Sequence, residues 1–533
     1  MMDKQINLSI IFGMIFIITV GAIFFMLTSD HVYALDNDSA NSSQEDDNLN
    51  IFLNDEKLEF EVDPVIEEGR TLVPFRKLAE SIGVQVNWIA AEDKIVAESE
   101  NLELTMVLGS RTAKLNGEEV DLDVAPKVVE GRTLIPLRHF SETFDVRVEY
   151  ENGQISMIPM EDIILDGKTL SGFYAHGYEG RSSWEEVFGA PYPDVGHSPR
   201  ADLFNSMHLG WFEISPEGEL ISSGARHGFR RPGGYEDVLE KLEQKNIDRN
   251  LTVFATQESL EESGDLIGLF RDEDSKKDLM EDIVKELDAD AYSGVNLDIE
   301  GLGRGKDEEE LNKIREKYVE FVKELEDKLG QNKQMVVTVH PPNSIYEGYD
   351  FEKLGEIADK LVVMAYDYHD RSMPSATAPI DKVEEGIEEL KEKVPGEKIV
   401  LGIRLPAVKY AEAGETNDSG VNDNVELYDK LEEEPLEEDE VTQEWIITHP
   451  YLDSVFDFKE AENLEKNWDG SLAVHYLKFE DDAGKQNYIY FETKRSLLYK
   501  WDLIDRYDLR GVSFWRLGAV PEFVYEQVDE VLK

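Results

Sequence analysis

Asp298 and Glu300 are the pair in this chain best spaced to do chemistry together. They lie in Tyr292–Leu302, YSGVNLDIEGL, where Val295, Leu297 and Ile299 alternate with Asn296, Asp298 and Glu300. That period of two predicts a strand with an apolar face and a polar one. At about 3.3 Å per residue the two carboxylates stand about 6.6 Å apart on the polar face, within reach of one small substrate. Paired carboxylates suit general acid–base work. In a chain with 114 acidic residues such a pair also arises by chance, so the positioning elements decide.

Composition narrows the classes. The 533 residues suffice for two or three domains, and 41% hydrophobic content can bury a substantial core. A net charge of -60 repels nucleic acid and anionic membrane, which excludes both as partners of the folded part. Self-repulsion on that scale points to a saline habitat, where salt screens it. The chain has no cysteine, so disulfides, thiol catalysis and cysteine-bound metals are excluded together. A monomer without cofactor or metal is expected.

Residues 8–27, LSIIFGMIFIITVGAIFFML, are uncharged and about long enough to cross a bilayer. Val32-Tyr33-Ala34 offers a cleavage pattern after Ala34, so residues 1–34 read as a signal peptide or an uncleaved N-terminal membrane anchor. Either places the remainder outside the cytoplasm, in the extracellular space or at the cell surface. Residues 35–49 are polar and aperiodic, a linker.

A repeat follows. PVIEEGRTLVPFRKLAESIGVQVNW, from Pro64, matches PKVVEGRTLIPLRHFSETFDVRVEY, from Pro126, at an offset of 62 residues. Gly69, Arg70, Thr71, Pro74 and Arg76 answer Gly131, Arg132, Thr133, Pro136 and Arg138. Each unit predicts a β-turn, a short strand, a helix after the proline and another strand. GRTLVPFR and GRTLIPLR resemble the copper amine oxidase N-terminal-like module of exported Gram-positive proteins, which implies a small α+β two-repeat stalk over residues 50–160. Copper chemistry is not expected, because this region offers His139 alone. The resemblance implies a spacer or a platform for cell-wall attachment.

From residue 161 to 533 apolar strands alternate with amphipathic helices. Strands are predicted at 170–176, 205–214, 251–256, 293–300, 334–341, 360–368, 398–405 and 510–518. Helices are predicted at 236–245, 274–287, 307–329, 351–358 and 381–392. Eight such units predict an α/β fold, a (β/α)8 TIM barrel, with an α+β insertion at about 406–500. The insertion begins with an acidic stretch, AGETNDSGVNDNVELYDKLEEEPLEEDE, and continues with SLAVHYLKF and NYIYFET, which read as paired strands. Gly294 and Gly301 frame the Asp298–Glu300 strand and suit the catalytic end of a barrel strand.

GVNLDIE resembles the fourth-strand signature of glycoside hydrolase family 18, usually DGxDxDxE. VVMAYDYH resembles that family's sixth-strand Met-x-Tyr-Asp motif, and GVSFWRLG its last strand. The wording near the C-terminus is most similar to the cell-wall and spore-cortex lytic N-acetylglucosaminidase subgroup. The resemblance implies hydrolysis of β-linked N-acetylglucosamine in peptidoglycan or a chitin-like polymer, with retention. It implies no carboxylate nucleophile, since the substrate's acetamido oxygen attacks C1 to give an oxazolinium. Glu300 would be the general acid, Asp298 the orienting carboxylate, and Tyr366 the donor to the acetamide oxygen. Asn296, Asp367, Met364 and Trp515 would line the sugar site, with Trp515 as its floor.

Two positions depart from the signature: Ser293 and Asn296 stand where the first two aspartates would be. Asn296 is expected to hydrogen-bond Asp298 while repelling it less than a carboxylate. A catalytically silent glycan-binding barrel on a stalk is the alternative, and keeping both Asp298 and Glu300 argues against it. Trp184, Trp211, Tyr346, Tyr349 and Trp445 are candidates for sugar stacking. His340, His369 and His475 lack a metal-binding spacing and are read as structural. Gly301-Leu302-Gly303-Arg304-Gly305 lacks the ending of a phosphate loop and reads as a flexible loop beside the active site.

Overall fold

The structure, a computed structural model, describes residues 49–532 apart from 100–101, 152, 176–199, 224–228, 233–234, 259–271, 290–291, 331, 344, 369–371, 413–444, 451, 453–454, 456–464, 471, 482–483 and 519. The N-terminal apolar run, the linker up to residue 48, the acidic stretch at 413–440, Trp184 and His369 lie outside the described residues. Among the described residues no helix is long and apolar enough to cross a membrane. From Ile51 onward the chain forms one compact unit.

The repeat folds as its turn residues dictate. Glu68-Gly69 and Glu130-Gly131 all have positive φ, between 48° and 76°. Each pair closes a two-residue hairpin, with Glu67 opposite Arg70 and Val129 opposite Arg132. Positive φ at both central residues is the hairpin turn that matches strand twist, and glycine at the second position makes it inexpensive. The two motif strands then pair antiparallel with one another, Val73 against Ile135. Helices Phe75–Ser81 and Leu137–Thr143 start directly after Pro74 and Pro136.

This module lies against the barrel rather than apart from it. Asp145 accepts two bonds from the Arg495 guanidinium, at 2.8 and 2.9 Å, and one from the Tyr499 hydroxyl at 2.8 Å. Arg147 reaches Asp502 at 2.5 Å and Asp505 at 3.1 Å. The side chains of Arg147 and Asp502 are only 11% and 5% exposed, so their separation would strand charge in a dry interface.

Eight parallel strands close the barrel: β1 Thr169–Ala175, β2 Ser206–Ile214, β3 Asp248–Thr256, β4 Gly294–Glu300, β5 Gln334–Val339, β6 Lys360–Val363, β7 Ile399–Arg404 and β8 Gly511–Trp515. Strand β1 pairs with both β2 and β8, which completes the ring. Leu220–Ile221 adds a short antiparallel edge to β2. Apolar residues of alternate parity, such as Leu251, Val295, Leu297 and Val337, pack outward against the helices in the main core. Phe173, Val336, Val362 and Val400 form an inner layer under Trp515.

Two expectations need correction. The sixth strand stops at Val363 rather than at 368. There the backbone bends through two successive two-residue contacts, Ala365 N–H to Val363 O and Tyr366 N–H to Met364 O, and reaches Asp367 at φ +62°. The insertion, in its described part, is a five-stranded antiparallel sheet from Val408 to Phe491, with Val474–Glu480 and Gln486–Phe491 paired as expected. Helix Lys494–Arg506 then returns to the barrel wall, burying Leu497, Trp501 and Ile504 in the main core.

Candidate active site

Strand β4 is in parallel register with β3 and β5, so Asn296 lies beside Thr252, Asp298 between Phe254 and Thr338, and Glu300 beside Thr256. Asn296 and Asp298 are 0% and 1% exposed, whereas Glu300 emerges half-buried at the strand end. In a (β/α)8 barrel this C-terminal end is where catalytic groups gather.

Asp298 is electrostatically unusual. Its Oδ1 is buried without a hydrogen-bond partner. Burial disfavours the charged carboxylate and pushes its pKa up to about 7. The expectation that Asn296 would hydrogen-bond Asp298 is not met. The Asn296 carbonyl accepts from the Thr338 hydroxyl at 2.9 Å, and its amide donates to Thr252 at 3.5 Å. Neighbouring strands satisfy Asn296 sideways and leave the atom of Asp298 that faces no donor free for a ligand.

Tyr366 is buried, and burial, then the charges of Asp367, Glu300 and Asp298, hold its hydroxyl well above the usual phenol pKa. It therefore remains a hydrogen-bond donor at all working pH. Met364 is buried, and Asp367 lies 3.7 Å from Arg404 at the end of β7. Trp515 ends β8 opposite Arg404, with its ring centroid 5.2 Å from Phe173 in an edge-on contact. The peptide bond after Trp515 is cis.

Several mouth residues escaped the sequence reading. Arg404 and Gln257 could have been found from their places at the ends of the seventh and third strands. Phe254 carries Phe229 stacked on it at 4.4 Å, an aromatic pair beside Asp298 in the register. Glu213 is buried in the rung of Phe254 and Asp298. No sequence signal placed it there, because a bulge between Leu209 and Phe212 shifts the parity of β2.

The stacking candidates divide. Trp211 is fully buried on the outer face of the barrel, edge-on to Tyr174, Tyr235 and Tyr292, and does not face the cleft. Tyr349 is core, its hydroxyl donating to Ile299 O at 2.8 Å. Trp445 packs on Tyr410 and Tyr488 in the inserted sheet. Tyr346 stacks on His340 at 3.8 Å, and burial lowers the His340 pKa to about 4 while Asp367 opposes it. His475 is tied to Thr493 at 2.9 Å. A cleft of about 1240 Å³ lies between the N-terminal module and helix Lys494–Arg506. Its arginines are already paired with carboxylates, and the acid–base geometry is at the barrel mouth instead.

Residues 237–519, more than half of the chain, match the family described as glycosyl hydrolases family 18. The chain belongs to that family. Residues 52–158 match the copper amine oxidase N-terminal domain. The cortical fragment-lytic enzyme of Bacillus subtilis is 25% identical over 60% of this chain and 72% of its own length. Two solved structures share the fold: the C-terminal domain of a chitinase-like protein from Desulfitobacterium hafniense, TM-score 0.55, 18% identity, covering 69% of this chain and 100% of that one, and the spore cortex-lytic enzyme SleL of Bacillus megaterium, TM-score 0.52, 17% identity, covering 72% and 78%. As a member of family 18 the chain is a glycoside hydrolase, and the matched segment contains β3 through β8, including both carboxylates of β4.

Proposed function

We propose that this family 18 hydrolase is a retaining glycosidase that cleaves β-linked N-acetylglucosamine in peptidoglycan or a chitin-like glycan. The observation that carries the reading is the pairing of a buried, near-neutral Asp298 that has an unpartnered oxygen with a half-exposed Glu300 two residues on.

The chemistry follows from what each group can exchange. Glu300, at the mouth, protonates the glycosidic oxygen as the acetamido oxygen of the same sugar attacks C1. Asp298 offers its free oxygen to the acetamide N–H. Ionisation there becomes favourable as positive charge develops on the oxazolinium, so the cost of burying that carboxylate falls in the transition state. Tyr366, held protonated, donates to the acetamide oxygen, with Asp367 and Met364 beside it and Trp515 as an apolar floor. The Glu300 carboxylate then takes a proton from the water that opens the oxazolinium, which restores the anomeric configuration.

The cell-wall side of the reading draws support from the cortical fragment-lytic relative. Residues 8–27 support export, by a cleaved signal or a retained anchor, to the cell surface or beyond, with the repeat module as the attachment point to the wall.

The test is release of reducing ends from purified peptidoglycan and from chitin oligosaccharides by the chain and by its Glu300→Gln variant. A loss of at least about a hundredfold in the variant supports the assignment. Binding of both polymers without cleavage of either would sink the enzyme reading in favour of a glycan-binding barrel.

A further inference from the structure

The segment after the catalytic strand, Gly301–Gly305, is not the flexible loop that its glycines suggest. The side chain of Gln257, the residue after β3, clamps it by accepting from Gly303 N–H at 2.7 Å and donating to Arg304 O at 3.2 Å. Gly348 N–H bonds Leu302 O at 3.0 Å from the other side. A Cβ on Gly303 would lie 2.5 Å from Gly348 N, so two backbones meet here with no room between them. The loop is a rigid bracket on the rim of the barrel.

That bracket presents Arg304 to solvent, four residues beyond Glu300. Among the described residues its guanidinium has no ion-pair partner, in a chain where acids outnumber bases by 114 to 54. Most arginines of the barrel are engaged: Arg231 with Glu286, Arg315 with Glu308, Arg404 with Asp367 and Arg506 with Glu384. Arg304 also lies close enough to His340 for its charge to act on that ring, on which Asp367 acts in the opposite sense. This locates the guanidinium at the rim between β4, β5 and β6, over the catalytic end.

We propose that Arg304 is a specificity-determining residue that binds the carboxylate of an acid-bearing amino sugar, one carrying a 3-O-lactyl group, next to the sugar that is cleaved. The inference rests on the reading of the substrate as a β-linked N-acetylglucosamine polymer, and it selects the carboxylated polymer over the neutral one. A surface at -60 repels an anionic glycan, and a guanidinium on the rim of the catalytic end, without an ion-pair partner among the described residues, offsets that repulsion where binding is required. Guanidinium is suited to it, since it meets a carboxylate with two parallel bonds.

The test measures binding by calorimetry, in the full chain carrying Glu300→Gln so that ligands survive. The probes are a β-1,4 N-acetylglucosamine tetrasaccharide and the tetrasaccharide in which alternate sugars carry the lactyl acid. Preference for the acidic ligand of about tenfold is expected, falling as salt rises. Adding Arg304→Ala should bring the ratio of affinities to about one, while Arg304→Lys keeps part of it. Amidating the lactyl carboxyl should abolish the preference in the parent. Equal binding of both ligands by the parent overturns the proposal, as does a preference that survives Arg304→Ala. Failure of the enzyme reading shows separately, as absence of hydrolysis in the Glu300 chain with the binding preference intact.

Discussion

Thr338, level with Asp298 on the neighbouring strand, donates its hydroxyl to the Asn296 side-chain carbonyl at 2.9 Å inside the barrel, one rung below. The contact ties β4 to β5 and fills the position where the family signature has a second carboxylate. Asp298 therefore has no carboxylate directly beneath it on its own strand, and its raised pKa comes from burial.

Asn296→Asp would place a further acid directly beneath Asp298 and remove the donor to Thr252. Like charge would raise the pKa of Asp298 further, so the penalty appears only where both groups would ionise. Denaturant melts should show little change near pH 4 and a loss of about 2–4 kcal/mol near pH 8. An equal loss at both would contradict this account.

Asp298→Asn should act in the opposite direction. The native pKa of about 7 lies above that of the unfolded carboxyl. The contribution of Asp298 to stability is therefore fully present below the unfolded value and lost as pH rises through 7. The variant should gain about 2–4 kcal/mol over the parent near pH 8 and nothing near pH 3, while activity falls at least about a hundredfold. Thermal melts across that range decide it, and a gain independent of pH would refute the assigned cause.

Arg495 stacks its guanidinium 4.0 Å over Trp468 while holding Asp145 of the N-terminal module. Arg495→Ala should weaken docking by about 2–4 kcal/mol, because Asp145 would keep only Tyr499 in a half-buried site. Limited proteolysis should then cut between module and barrel sooner than in the parent, with glycan hydrolysis retained. Unchanged digestion would show that the ion pair does not fasten the module.

Gly303 and Gly305 form a matched pair. Both have positive φ, +86° and +71°, but only Gly303 faces backbone where a Cβ would stand. Gly305→Ala should cost about 1 kcal/mol, the usual strain of that conformation. Gly303→Ala should cost several times more and depress hydrolysis, since the bracket beside Glu300 must move. Similar melting temperatures for the two variants would argue against a tight bracket.

Local pattern carried much of the fold. The alternation in GVNLDIE put Asn296, Asp298 and Glu300 on one face, and eight apolar runs matched eight barrel strands to within a few residues, because period-two burial is written in neighbouring residues. GRTLVP and GRTLIP likewise announced two hairpins, since a glycine after a turn residue fixes chain reversal over four positions. The tertiary structure alone decided what depends on partners far along the chain. It gave Asn296 to Thr252 and Thr338 instead of Asp298, turned Trp211 outward, and shifted Glu213 inward through a bulge. It also fixed the glycine-rich loop with Gln257 and docked the repeat module through Arg495 and Arg147. Side-chain direction and pairing across a closed barrel are set by strand register and packing between distant segments, which no local periodicity encodes.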